Sequence, residues 1–401
     1  MTMKWIKNGG VTSAKGFKAC GVAAGIKADR DDMGLLVSES PASVAGVFTS
    51  NTMAAAPVTL DRKRVRRGKA QAVIVNAGCA NACTGKEGYR DAVRMASLGA
   101  KALGLRDTLV LVSSTGVIGR RLPMQRIAAG IGIGSMALSP KGGDAFAKAM
   151  MTTDTVDKQA AVSVTIGGKR VTVGGCCKGA GMMEPKLATM LAYLTTDAAV
   201  PPKKLAMILK EAVNTSFNRI TVDGDQSTND TVLLLAGGAS GATLKTANDV
   251  RIFTTAVKAV CECLARKIVE DGEGATKFVT VNVRKAATAA DALTAAKAVA
   301  NSPLFKTACF GGDPNWGRVI CAIGYSGAKA HPAKTRIHFD DICVYDCGTV
   351  ADAATNATLA KVMKQKAFAV TVTLGMGRHD DTVYTCDFSY DYVKINGDYT
   401  T

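Results

Sequence analysis

The sequence predicts a layered α/β fold. Short apolar runs of β type alternate with stretches of helical spacing, the 401-residue chain is 47% hydrophobic and long enough to bury a large core, and its glycines gather at motif edges with no repeat or linker between them. Taken in order, residues 72–75 read as a strand, Val93, Ala96, Ala100 and Leu103 recur at helical spacing, and 109–112 read as another strand. Val162, Val164 and Ile166 alternate before Gly167-Gly168, and Val171 and Val173 resume the alternation, so 161–173 should form a hairpin. Further strands are expected at 190–194, 232–235, 278–283, 319–323 and 368–374. Leu205, Ile208, Leu209, Ala212 and Val213 share one helical face behind the opening pair Pro201-Pro202, and 249–270 should form a long helix.

Composition narrows the function classes. The formal net charge of +17 is uneven, since residues 1–188 hold 27 Lys+Arg against 12 Asp+Glu and residues 189–401 hold 23 against 21. Part of the excess is the run Arg62, Lys63, Arg64, Arg66, Arg67 and Lys69, which reads as a solvated charged face between two strands; no aromatic residues interleave with it, which argues against nucleic acid as a partner. The opening MTMKWIKNGGVTSAKGF has no apolar signal region, and no run reaches the roughly 18 apolar residues that cross a bilayer, so no membrane association is expected. The 12 cysteines are scattered, as expected of reduced thiols in a cytoplasm rather than of a disulfide framework.

Three histidines, His331, His338 and His379, have no Ser or Cys nucleophile motif nearby, so a histidine-based triad lacks material. Cys79-x3-Cys83 and Cys343-x3-Cys347 lack zinc-ribbon spacing, and KGAGMMEPK at 178–186 is neither a Walker loop nor a dinucleotide fingerprint; no metal and no cofactor are expected. Adjacent Cys176-Cys177 beside Lys178 offer a competing thiol nucleophile, although the hairpin pattern packs at least one of them. More informative is KGAGMMEPKLATMLAYLTTDA at 178–198, where a small-residue turn runs into Ala188-Thr189 and an apolar strand. If the bond before Thr189 breaks, the freed α-amine, with an ordinary pKa of about 7.7 to 8.0, can take the proton from the same residue's hydroxyl. One residue then supplies nucleophile and base. On the residues alone, an ordinary strand start remains open.

KGAGMMEPKLATML resembles the self-processing signature of the ArgJ family, the glutamate N-acetyltransferases (ornithine acetyltransferases) of arginine biosynthesis, which reads approximately KG(S/A)GMIxPxxATML; departures such as Glu184, Lys186 and Leu187 fall where the family varies. Similar segments follow in order: GVFTSN (46–51), NAGCANACTG (76–85), SSTGVIG (113–119), MTTDT (151–155), DGDQSTND (223–230), DGEGATK (271–277), GGDPNWGR (311–318) and INGDYTT (395–401). The resemblance implies a self-processing fold of the N-terminal-nucleophile type, cut between Ala188 and Thr189 into an α chain, 1–188, and a β chain, 189–401, which interlock rather than form separate domains and assemble as a heterotetramer. It implies that Thr189 is the nucleophile, that Thr115 and Gly116 form the oxyanion hole, and that Thr152, Lys178, Thr189, Glu273, Asn396 and Thr401 bind substrate. Thr153 and Thr155 stand close enough to Thr152 to confuse that assignment. The implied reaction moves acetyl from N2-acetylornithine to glutamate; whether acetyl-CoA is a second donor is left open. The rival reading is an N-terminal-nucleophile amidohydrolase or aminopeptidase, which passes the acyl group to water.

Overall fold

The computed structural model describes residues 3–28, 30–184, 190–351 and 356–398. Ala188, Thr189 and Thr401 therefore lie outside the described residues. The chain falls into two compact units, one gathering residues up to Asn218 with Asp225–Ile268, the other Arg219–Gly224 with the chain from Val269 onward.

The first unit runs through β1 (Lys4–Trp5), β2 (Phe17–Val22), β3 (Met33–Phe48), α1 (Ala56–Val65), β4 (Lys69–Cys79), α2 (Gly85–Leu103), β5 (Val110–Val117), α3 (Met124–Ala137) and α4 (Gly143–Ala149). It continues with β6 (Lys158–Ile166), β7 (Lys169–Lys178), β8 (Leu191–Thr196), α5 (Pro202–Asn214), β9 (Thr231–Ala236) and α6, which spans Ala247–Glu270. The strands form one sheet in the order β1, β6, β7, β8, β9, β3, β4, β5, with β2 beside β3. Two strands that follow residue 189, β8 and β9, thus lie between β7 and β3, which precede it. Ladder hydrogen bonds, not a linker, tie the later chain to the earlier one: Lys178 pairs with Leu191 across β7 and β8, and Phe48 pairs with Thr231 across β3 and β9.

Local chemistry explains the expected hairpin. Gly167 and Gly168 take φ of 56° and 77°, the paired left-handed conformation of a two-residue turn that matches strand twist, and β6 and β7 continue from it in unbroken register. Inward residues of β3, β4, β5, β7, β8 and β9, among them Leu36, Val75, Leu111, Cys176, Tyr193 and Leu233, share one core. A second core joins Ile74 of β4 and Val112 of β5 to Met95 of α2 and Ile127 of α3. The basic run differs from expectation. Its first half lies on α1, and Arg64 is buried, donating to the Asp107 carboxylate at 2.8 Å and to the carbonyls of Asp107 and Val110. Arg64 is a tie between helix and strand rather than part of a solvated face.

The second unit holds β10 (Phe278–Ala286), α7 (Ala289–Ala300), α8 (Pro303–Gly311), α9 (Trp316–Tyr325), β11 (Arg336–Phe339), β12 (Ile342–Asp346) and β13 (Thr349–Val350). It closes with α10 (Asn356–Met363), β14 (Ala367–Thr373), β15 (His379–Cys386) and α11 (Tyr390–Asp398). Its sheet order is β13, β12, β11, β14, β10, β15. Residues 319–323, expected as a strand, are instead the middle of α9. The Asn315 side chain caps the helix by accepting the Arg318 N–H at 3.1 Å, and Val319, Ala322 and Ile323 bury one helical face in the unit's core, so tertiary packing overrides the β-branched run. Among the described residues, no helix is long and apolar enough to cross a membrane.

Candidate active site

Lys178 ends β7, one ladder pair from the start of β8. It is buried, not the surface charge its position in a polar turn allows, and its Nζ donates to the Thr152 hydroxyl at 2.6 Å. Two residues predicted separately are therefore in contact. Holding both is Asp154, which the sequence reading missed. Its carboxylate is fully buried, lies 2.7 Å from the Lys158 ammonium and 3.8 Å from that of Lys178, and accepts the backbone N–H groups of Thr152 at 3.0 Å and Gly179 at 2.6 Å. Burial alone would raise its pKa, but the Lys178 and Lys158 charges, with the Lys158 and Gly179 hydrogen bonds, outweigh burial and hold the carboxyl well below its ordinary range. The charge is thereby fixed around Thr152 and Lys178.

Thr115 and Gly116 sit near the end of β5, where Gly78 of β4 pairs with Gly116. Gly116 has φ of 122°, and a Cβ there would lie 2.4 Å from the Gly78 carbonyl carbon, so only glycine allows this approach. A polar scaffold sets the turn. Ser114 donates to the Asn76 side-chain oxygen at 2.7 Å, while the Asn76 amide donates to the Cys79 carbonyl at 2.9 Å. Asn229, also unforeseen, donates to the carbonyls of Ser114 at 2.8 Å and Ala80 at 2.7 Å. The chain entering β9 is thus fastened directly beside Thr115. Two residues further on, the Thr231 N–H donates to the carbonyl of Met190 at 2.9 Å, and Met190 follows Thr189 in sequence. Asp230 between them is buried, and burial pushes its carboxyl up against the opposing pull of the Ser227 hydroxyl, Lys178 and Thr49. Membership of these residues in DGDQSTND was the available signal, but nothing in that string says which side chains turn inward.

Within the second unit, Glu273 and Asn396 also meet: the Asn396 amide donates to the Glu273 carboxylate at 2.9 Å and to the Tyr392 carbonyl at 3.0 Å. Gly274, at φ of 67°, brings this turn against α11, where an added Cβ would lie 2.4 Å from the Tyr392 nitrogen. Cys176 and Cys177 are both buried, and burial raises both thiols above their ordinary range, which removes the thiolate that a competing nucleophile requires.

A family model described as the ArgJ family matches residues 18–401. The chain belongs to the ArgJ family. It is 49% identical over 404 residues to the arginine biosynthesis bifunctional protein ArgJ of Symbiobacterium thermophilum, covering 100% of both chains. With the same-named protein of Geobacter sulfurreducens it shares 49% identity over 397 residues, 97% of this chain and 100% of the relative. Among solved structures, ornithine acetyltransferase complexed with ornithine from Mycobacterium tuberculosis is 43% identical, with 47% of this chain and 100% of that chain covered and a TM-score of 0.44. Membership from residue 18 to the C-terminus takes in all the ArgJ-like segments, from GVFTSN to INGDYTT.

Proposed function

We propose that this ArgJ-family chain transfers acetyl from N2-acetylornithine to glutamate through an acetyl-enzyme on Thr189. The observation that supports it best is the Lys178–Thr152–Asp154 network, which fixes a buried ammonium one ladder pair from Leu191, two residues beyond Thr189. In this reading the Thr189 hydroxyl oxygen attacks the acetyl carbonyl and its proton passes to the Thr189 α-amine, freed by a cut after Ala188. The Thr115 hydroxyl and the Gly116 N–H donate to the tetrahedral oxyanion. Collapse breaks the bond to the ornithine α-nitrogen, which leaves with the proton. Glutamate's α-amine then attacks the threonyl ester, and the same steps run in reverse to release N-acetylglutamate. Lys178 and Thr152 hold a substrate carboxylate, and Glu273, aided by Asn396 and Thr401, takes a substrate ammonium.

The two chains, 1–188 and 189–401, stay together after the cut and assemble as a heterotetramer in the cytoplasm. Acetyl-CoA is a second donor if the chain shares the two activities implied by its relatives' name. Initial-rate kinetics with a donor panel of acetylornithine, acetyl-CoA and other N-acyl amino acids, each with glutamate as acceptor, test the reading. Parallel, ping-pong lines with acetylornithine are expected. Intersecting lines without a trappable adduct would indicate direct transfer in a ternary complex, and release of free acetate at the full turnover rate would favour the hydrolase alternative.

A further inference from the structure

The loop between β2 and β3 carries a lysine that no motif singled out. Asp32, fully buried at the head of β3, accepts the backbone N–H groups of Ala24 at 2.7 Å, Ile26 at 2.5 Å and Lys27 at 2.8 Å, so the loop is wound around one carboxylate. That winding fixes the Lys27 backbone. Its stem crosses Gly78, where an added Cβ would lie 2.9 Å from Lys27 Cγ, and the Gly78 α-carbon in turn backs onto Gly116, 2.6 Å from where a Cβ on that residue would sit. The far end of the same side chain donates from Nζ to the Met151 carbonyl at 2.7 Å, next to Thr152. Arg30 of the same loop donates to the Thr152 carbonyl at 2.8 Å. One side chain therefore spans from the backbone behind Gly116 to the segment that presents Thr152 to Lys178.

We propose that Lys27 is a positioning residue for acetyl transfer, clamping the Met151–Thr152 segment to the Gly78–Gly116 turn so that the substrate-holding groups and the oxyanion donors keep one spacing. The inference rests on the transfer reading above. Transition-state stabilisation depends steeply on that spacing, because donors must meet the oxyanion while the substrate is held elsewhere. The charge on the clamp matters as well. Burial, then Arg30, lowers the Lys27 pKa to about 8, with Asp32 opposing, Lys178 adding to the fall and Asp154 opposing it. Of these groups, Arg30 and Asp32 belong to its own loop, Lys178 to β7 and Asp154 to the segment ahead of β6. Below about 8 an ammonium holds the Met151 carbonyl; above it, a neutral amine donates more weakly.

Lys27→Gln and Lys27→Arg decide the matter, assayed on matured protein with acetylornithine and glutamate across pH. The parent's kcat/KM should rise as the Thr189 α-amine loses its proton, near its ordinary value of about 7.7 to 8.0, and fall again as Lys27 does. In Lys27→Gln, kcat should drop about tenfold or more while KM for acetylornithine stays within about twofold, and the falling limb should vanish. Lys27→Arg should keep kcat within about threefold, with the falling limb gone from the accessible range, because a guanidinium does not deprotonate there. Parental kcat and an unchanged falling limb in Lys27→Gln would overturn the proposal, as would equal losses in both variants matched by equal drops in Tm. Should Lys27→Gln fail to mature, Lys27→Arg decides alone: a retained falling limb counts against Lys27. Absence of transfer in the parent would sink the transfer reading itself, a result distinguishable from any of these.

Discussion

Each compact unit buries a lysine almost completely, and the two lysines are satisfied in opposite ways. In the first unit, Lys158 is fully buried against the Asp154 carboxylate, which also faces Lys178. In the second, Lys306 is 1% exposed, donates to the Thr385 hydroxyl at 2.8 Å and to the Cys386 carbonyl, and lies 4.5 Å from the centre of the Phe388 ring. Neutral acceptors and a ring face fasten α8 to β15 and the residues after it. A carboxylate shared by two ammonium groups does more: it carries fixed charge to the contact between Lys178 and Thr152. The same residue type is a fastener in one place and part of a buried charge network in the other.

The largest effect should come from Asp154→Asn, which leaves Lys158 buried without its counter-charge. Breaking such a pair costs about 3–5 kcal/mol, so chemical denaturation should show a loss of that size together with weakened transfer. A loss below about 1 kcal/mol would place Asp154 on the footing of an exposed surface pair and dissolve the contrast with Lys306. The pH dependence sharpens it. Asp154 has a depressed native pKa, so its stabilisation is complete above the ordinary unfolded carboxylate value of about 3.9 and is lost as pH falls below that value and through the native one. Acid unfolding of the parent should therefore steepen below about pH 4 more than that of Asp154→Asn. Parallel acid curves would count against the network.

Lys306→Met should lower stability alone. Losing hydrogen bonds to neutral partners costs about 1–3 kcal/mol of stability, while kcat of the matured enzyme should stay at the parent value. A fall in kcat without a fall in stability would break the comparison, because it would give the second unit's lysine a catalytic consequence. The smallest effect is expected from deleting Tyr399, Thr400 and Thr401. Self-cleavage should persist while transfer falls at least about tenfold, or about 1.4 kcal/mol, in line with a substrate-binding role for Thr401. A truncated protein that transfers at the normal rate would remove Thr401 from the site.

Legibility in the sequence followed the range of the interactions involved. Gly167-Gly168 predicted its hairpin because a two-residue turn needs only those two backbones, and the face of α5 was readable from Leu205 to Val213. Residues 319–323 misled because a β-branched run is compatible with either element until Asn315 and the surrounding core are known. The division into two units left no mark, since the chain crosses between them three times along residues 1–400, once inside the continuous helix α6 between Ile268 and Val269, and no linker accompanies the crossings. MTTDT and DGDQSTND contain Asp154 and Asn229, but neither string says that these side chains turn inward or that Lys178 meets Thr152, and Lys27 lies in no motif. Their roles depend on partners up to 149 positions away, such as Ala80 for Asn229, and only folding brings those partners together.

Central to the account is Thr189 as a new N-terminus that carries the acetyl group. Intact-mass spectrometry of active protein, before and after incubation with acetyl-labelled N2-acetylornithine, tests this most directly. Two chains are predicted, 1–188 and 189–401, with one labelled acetyl group on the peptide that begins at Thr189, and Thr189→Ala should remain a single unlabelled chain. Active material consisting only of the uncut 401-residue chain, or label on any other residue, would contradict the account.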